Sequence, residues 1–437
     1  MVNERRAPEI RFDGFTEIWE RHGLTEVLSP TVGSNTLSRA ELNYDDGEIK
    51  NIHYGDILIK FNSFVDAVID EIPFITNGEI VDFKSNLLKD GDVIFADTAE
   101  DETTGKVIEI TNSADVNIVS GLHTIVYRPK RKFANCFMGY YLNTNVYRQQ
   151  LIPLMQGAKV LSLGRSHLAT TLVRYPSTLS EQAIIADFFR NFDDAIALAK
   201  QQHKKTLNIK KAMLEKMFPK KGATVPEIRF DGFIEEWIVM QLDEAFKPSV
   251  PNNTLSRIEL NYNTGEVKNI HYGDVLTKFG SVVDSSDMII PFVTDGTVSE
   301  YRSYLLQDGD IVFADTAEDE MVGKAVEVIN TNDHKIVSGL HTYVFRPQIQ
   351  TSQCFFGYYF NSHSYRWQLL SLMQGVKVLS LNRSNLSKTL ICFPPLLSEQ
   401  AIIARFFRNL DDLINAQRQE IDKLQNIKNA CLNKMFV

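Results

Sequence analysis

Along most of the chain the apolar residues come in short runs broken by glycine, asparagine and aspartate, and in two places they settle into a helical spacing. Residues 56–61 (DILIKF), 92–96 (DVIFA), 106–110 (KVIEI) and 123–127 (HTIVY) are rich in β-branched and aromatic side chains and flanked by turn formers, which predicts strands. One helix is predicted among them, over residues 137–155. From 180 to 217, and again from 398 to 435, the pattern changes: no glycine or proline intervenes. Apolar positions there fall four and three apart, at Ile185, Phe189, Phe192, Ile196 and Ala199, then at Ile403, Phe407, Leu410, Ile414, Gln417, Ile421 and Leu424. That is the seam of a coiled coil. Ser180 and Ser398 are the expected N-caps, with Glu181 and Glu399 in the first turn, where carboxylates suit the helix dipole, and Pro176 and Pro394 just upstream. His203 and Thr206 stand where the second stretch has Ile421 and Leu424, so the first seam is the weaker, and packing of the two helices on each other accounts for its survival. At about 1.5 Å per residue, roughly 38 residues make a rod on the order of 57 Å long, the length of a spacer.

The recurrence is general. The octapeptide from Pro8 to Phe15 (PEIRFDGF) returns unchanged from Pro226 to Phe233, an offset of 218 residues. At the same offset recur Asn35-Thr36-Leu37-Ser38-Arg39, KNIHYGD from Lys50, FADTAEDE from Phe95, IVSGLHT from Ile118 and the Lys216-Met217-Phe218 ending. Roughly 58% of positions from Pro8 to Phe218 match their counterparts without a gap. So long a period fits a duplicated domain, not a solenoid unit. Each copy is thus an α+β globular part followed by a long helix.

Composition narrows the class. A chain of 437 residues, 44% of them apolar, is enough for two or three domains. No stretch approaches the roughly 20 apolar residues that cross a bilayer, and Met1-Val2-Asn3-Glu4-Arg5-Arg6 leads into no signal core, so a cytoplasmic location is expected. Cys136, Cys354, Cys392 and Cys431 form no close pair and are expected as reduced thiols, the first two in the core. The net charge of -9 argues at first sight against a nucleic-acid partner, but what matters is the local distribution of 46 basic and 55 acidic residues. There is no phosphate-binding loop, no glycine-rich turn between strand and helix and no nucleophile elbow, so neither ATP hydrolysis nor methyl transfer can be assigned, and no cofactor is expected.

The PEIRFDGF opening with Trp19, the FADTAED and SGLHT segments, and LSEQAIIA before FFRNFDD and a terminal KMF, in that order and twice, resemble the specificity subunits of type I restriction-modification systems. The resemblance covers nearly the whole chain. It implies two target-recognition domains, here residues 1–178 and 226–396, two conserved helices, 179–218 and 397–437, and a linker at 219–225. It further implies that the helices are antiparallel about a pseudo-two-fold, that each domain reads half of a bipartite duplex DNA target, and that the helices fix the gap. Two methyltransferase subunits would bind the helices, and motor-nuclease subunits would join them, while the chain itself would catalyse nothing. Family members commonly have dissimilar recognition domains, whereas these two are alike, so a near-palindromic interrupted target is expected.

Reading bases and phosphates calls for directed donors. Candidates present in both copies are Arg39 and Arg257, Lys60 and Lys278, Lys106 and Lys324, Gln156 and Gln374, Lys159 and Lys377, and Arg165 and Arg383. The stretch around Gln156, Gly157 and Lys159 stands out, because glycine permits close backbone approach. His123 and His341 have no second ligand at metal spacing and are expected as buried structural histidines or as part of the DNA surface. Asp97, Glu100 and Asp101, repeated at Asp315, Glu318 and Asp319, could hold Mg²⁺, and Glu48-Ile49-Lys50 (Glu266-Val267-Lys268) matches E-x-K. These motifs carry the competing reading, a metal-dependent endonuclease acting alone, although turn carboxylates are the simpler account. A third reading is an assembly protein that uses only its coiled coil. Tyr140-Tyr141 and Phe188-Phe189 are expected in the core or the helix seam, and Lys200, Lys204, Lys205, Lys210 and Lys211 line the first helix, either facing DNA phosphates or forming an exposed face that solubilises the rod.

Overall fold

The structure, a computed structural model, describes residues 7–332 and 334–437, the side chain of Ser249 excepted; the opening hexapeptide read above lies outside the described residues. Two compact units are formed, one from Met1–Lys200 with Gln419–Val437, the other from Gln201–Arg418. Both are α+β, and among the described residues both repeat one topology.

In the first unit a five-stranded sheet runs in the order Leu28–Ser29, Thr124–Pro129, Val93–Ala96, Val107–Thr111, Phe64–Asp66, with only the last pair parallel. Its central strands are covered on both faces, which is why their sequences read as unbroken apolar runs. Val93 and Phe95 face the aromatic core of Phe137, Tyr140, Tyr141 and Phe189, while Ile94 joins the opposite cluster of Ile52, Ile57, Ile108 and Val126. A four-stranded sheet (Ile118–Ser120, Lys50–Ile52, Phe74–Ile75, Leu42–Asn43) extends the second side. The second unit has the same sheets on Phe246–Val250, Thr342–Pro347, Ile311–Ala314, Ala325–Ile329 and Val282–Asp284, and on Leu260–Asn261, Phe292–Val293, Val267–Ile270 and Lys335–Ser338.

Three local expectations are corrected. Residues 56–61 are not a strand: Tyr54–Ile59 is helical, because the His53 ring accepts from the Gly55 amide and caps it. The single helix expected over 137–155 is two, Phe137–Tyr141 and Asn145–Leu151. Between them Asn143 turns out to bond both the amide and the carbonyl of Val107, and Thr144 caps the second helix. Ser180 and Ser398 are not N-caps; the long helices span Leu179–Lys216 and Leu397–Lys434, placing both serines inside the first turn. The Thr178 hydroxyl accepts from the Glu181 amide in one copy, and the Leu396 carbonyl serves in the other.

Glu181 does more than meet a helix dipole. It is 1% exposed, and its two oxygens accept from Arg11 Nε and Nη2 at 2.7 and 2.8 Å, and one also from the Trp19 indole at 3.3 Å. Glu399 does the same for Arg229 and Trp237. The opening motif of each copy is thereby fastened to the start of its own helix by a forked, charge-assisted pair.

Each unit is closed by helix from the other copy. In the first, Phe436 lies among Trp19, Phe137, Tyr141 and Phe189 with ring centroids 5.7–6.1 Å apart, Lys428 pairs with Asp193, and the Ile10 amide donates to the Lys434 carbonyl. In the second, Phe218 lies among Trp237, Phe355, Tyr359 and Phe407, Lys210 pairs with Asp411, and Ile228 donates to Lys216. Contacts that ascend one helix descend the other, so within each unit the two helical segments are antiparallel. Ile185, Phe189, Ile196, Ala199, Ile403, Phe407 and Ile421 of the expected seam are buried. The weaker stretch is visible too: His203 Nδ1 and Gln417 Oε1 in the second unit are buried without a partner among the described residues. Lys210, expected to face DNA phosphates or solvent, is instead spent on Asp411.

Cys136 and Cys354 are buried, as their aromatic surroundings suggested, and all four cysteines are free thiols. Each of the two takes a left-handed conformation (φ 68° and 73°) that opens the following helix. The helix it opens offers its first amides to a carboxyl inside the core: Glu109 accepts from Cys136 and Gly139, and Glu327 from Cys354 and Gly357.

Candidate nucleic-acid interface

The loop around Gln156 is a tight hairpin. Gln156 and Ser162 exchange both backbone hydrogen bonds at 2.9 and 2.8 Å, and Gly157 between them has φ +122°. A Cβ on that glycine would lie 1.9 Å from the Val160 carbonyl oxygen, so the turn excludes any side chain. Gln156, where the hairpin closes, and Lys159, within its turn, are exposed, as are Gln374 and Lys377 on the equivalent hairpin.

The base of the hairpin pairs Ser162 with Thr98, the Leu163 amide donates to the Asp97 carbonyl, and the Asp97 amide donates to the His123 carbonyl. The hairpin, the FADTAED turn and the SGLHT turn are therefore hydrogen-bonded side by side. Arg165 follows directly, exposed at the start of the short helix Arg165–Leu168, with its carbonyl accepting from the Tyr127 hydroxyl. In the second unit the Arg383 guanidinium lies 4.7 Å over the Tyr343 ring, a stack that Ile125 does not offer Arg165.

A second group joins this one. The His123 ring meets Tyr54 edge-on at 5.3 Å, Tyr54 meets His53 at 4.5 Å, and burial together with the charge of Arg39 lowers the His53 pKa. Arg39 Nη2 donates to the buried Asp56 at 2.7 Å while 46% of its side chain stays exposed. Arg257 grips Asp274 with both nitrogens, at 2.7 and 3.0 Å. Lys60 lies over the Tyr44 ring and pairs with Glu71; Lys278, with Ile289 in place of that glutamate, turns to Asp274. Lys106 and Lys324 lie elsewhere. Their ammonium groups donate inward, to the carbonyls of Leu58 and Phe61 and of Leu276 and Phe279, and burial pushes the Lys324 pKa down to about 8.

A chain of contacts thus links Arg39, Lys60 and the Gln156 hairpin, with Lys159 on it and Arg165 following it, to His53, Tyr54, Thr98, Asp97 and His123. His123 and His341 are not buried; a left-handed backbone (φ 55° in both) turns each ring outward, half exposed. Reading residue types alone passed over Tyr44, Tyr54 and Thr98. Their signal was that all three are unchanged 218 residues later, at Tyr262, Tyr272 and Thr316.

Several carboxylates of the nuclease reading are engaged by backbone amides. Glu48 accepts from the Ile80 amide and Glu266 from Val298, Asp101 from Thr103 and Asp319 from Met321, and Lys50 donates to the Ala67 carbonyl. Tyr140, Tyr141 and Phe189 are buried in the core and are not available as stacking platforms.

The family model of the type I restriction modification DNA specificity domain matches residues 19–208 and again 234–426. The chain belongs to this family. The two matches fall on the two copies, and each takes in one globular part with most of its long helix. A putative type I restriction enzyme MjaX specificity subunit from Methanocaldococcus jannaschii is 22% identical over 444 residues, which span 96% of this chain and 93% of that protein. Among solved structures, a type I restriction-modification S subunit from M. genitalium aligns with a TM-score of 0.55 at 12% identity over 99% of both chains. A chain from a study of complex assembly and conformational transition of the type I system aligns at 0.56 and 17%, covering 96% of this specificity chain and 97% of the other. At such identities the likeness is one of fold. No helix among the described residues is long and apolar enough to cross a membrane.

Proposed function

We propose that this specificity chain is the non-catalytic DNA-recognition subunit of a type I restriction-modification enzyme. Residues 1–178 and 226–396 each read one half of a bipartite duplex target. Helices 179–218 and 397–437 set the gap and bind two methyltransferase subunits, residues 219–225 link the halves, and motor-nuclease subunits complete the restriction enzyme in the cytoplasm. The observation that carries the reading is the polar face built from Arg39, Lys60, Gln156, Lys159 and Arg165, recurring residue for residue at Arg257, Lys278, Gln374, Lys377 and Arg383. Hairpins carrying Gln and Lys beside a side-chain-free turn suit contact with base edges and phosphates. Lys106 and Lys324 act through the framework by holding Leu58 and Phe61, and Leu276 and Phe279, in place. Because the two faces share their reading residues, the half-sites are alike and inverted, which makes the interrupted target near-palindromic.

The test is methylome sequencing of cells carrying this chain with its cognate methyltransferase subunit, against cells lacking this chain alone. Loss of one interrupted, near-palindromic motif is the expected result. An unchanged methylome refutes the proposal, and a motif with dissimilar halves refutes its symmetry.

A further inference from the structure

The two copies form an internal comparison. Many exposed positions differ between the copies, among them Ile59 against Thr277, Val68 against Ser286, Arg131 against Ile349 and Val81 against Ser299. On the face, Asp97, Thr98 and His123 are kept with Asp315, Thr316 and His341, and so is their geometry. The Thr98 hydroxyl donates to Asp97 Oδ1 at 2.8 Å, and His123 Nδ1 lies 3.4 Å from the same oxygen and 3.4 Å from Thr98 Oγ1. In the second unit the corresponding distances are 2.7, 3.3 and 3.5 Å.

This arrangement assigns the ring's proton. The Thr98 hydrogen is already directed at Asp97, so Nδ1 faces two oxygens that can only accept, and it must be the protonated nitrogen. In the neutral ring Nε2 then carries the lone pair, and Tyr54 against the ring edge holds it in place. A histidine in the left-handed region is uncommon, and finding it twice at φ 55° marks a position where outward presentation outweighs local strain. An oriented acceptor beside a carboxylate that is 25% exposed in the first copy and 14% in the second is the complement of an exocyclic amine. In the major groove that amine is adenine N6 or cytosine N4.

We propose, building on the DNA-recognition role above, that His123 and His341 are specificity-determining residues, each accepting through Nε2 from the amino group of one adenine or cytosine in its half-site. The turn that bears each histidine is tied by backbone hydrogen bonds to the Gln156 or Gln374 hairpin, so the two reading elements engage the duplex in fixed register.

The test uses the full chain with its methyltransferase subunit and compares methylated motifs for wild type, His123→Asn and His341→Asn; asparagine is tolerated at positive φ. Each variant is expected to keep methylating while losing about tenfold discrimination at one base pair of one half-site, where the wild type requires adenine or cytosine. The two variants should act on opposite halves. Motifs unchanged in both variants overturn the inference and leave the recognition role standing. A wild-type complex without sequence preference overturns the recognition role itself. Loss of all methylation by a folded variant also overturns the inference, since it would assign the ring to the framework. If an asparagine variant does not fold, His123→Gly or His341→Gly, which relieves the backbone entirely, is read in the same way.

Discussion

Phe436 offers a test of how the first unit is held together. Its ring is 3% exposed and touches Trp19, Phe137, Tyr141 and Phe189, all parts of one aromatic core. Truncation to alanine removes the ring from a site that cannot collapse easily, because Trp19 is fixed by its bond to Glu181 and the other three sit on sheet-packed helices. A buried Phe→Ala change of this kind costs about 3–5 kcal/mol. Hydrogen exchange followed by mass spectrometry resolves the units separately. In Phe436→Ala the slowest amides of Val93–Ala96 and Val107–Thr111 should exchange faster by roughly two to three and a half orders of magnitude. Those of Ile311–Ala314 and Ala325–Ile329, whose cluster is closed by Phe218, should change by no more than a few-fold. Phe218→Ala should invert the pattern. Equal acceleration in both units, or none in the first, would refute the assignment of Phe436 as the closing element of the first core.

Other outcomes follow from single contacts. Complete burial lifts the carboxyl groups of Glu109 and Glu327 to about 7 from 4.5, against the amides that favour ionisation. Their contribution to stability is therefore full below 4.5 and is lost as pH rises through 7. Urea midpoints of wild type relative to Glu109→Gln/Glu327→Gln should fall over that window; a relative rise would contradict it. Gly139→Ala should destabilise the first unit by about 3 kcal/mol in the same denaturation assay, since the new Cβ would lie 2.1 Å from the Ser63 carbonyl oxygen. A neutral Gly139→Ala would mean that the helix can move off the sheet. His203→Leu combined with Gln417→Leu should raise the second unit's stability by about 1–3 kcal/mol, because two buried atoms without partners are removed; a lower melting temperature would refute this.

What was legible in the sequence followed from how many constraints acted on a stretch at once. Val93–Ala96 and Val107–Thr111 were readable because both faces are buried, and Ile185, Phe189 and Phe407 because a helix seam repeats. Residues 56–61 were misread because Ile57, Leu58 and Ile59 carry β-like side chains, while the deciding feature, a histidine ring capping the Gly55 amide, lies upstream. The break at Asn143 depends on a strand 36 residues away in sequence, which no local pattern contains. At the candidate interface the duplication was the informative signal. It singled out Arg39, Gln156 and Arg165, which are exposed, but could not separate Lys106, whose partners are backbone carbonyls and leave no mark in residue types.

Closure of the first core by Phe436 bears on synthesis. The ribosome delivers Phe218 and then, within the next two hundred residues, everything its own cluster needs. The first cluster must wait for Met435 and Phe436. At about 5–20 residues per second that interval is on the order of 10–40 s. Throughout it the nascent first unit presents Trp19, Phe137, Tyr141 and Phe189 without their lid, so it is the earlier-made half of this chain that most needs protection from aggregation while translation proceeds.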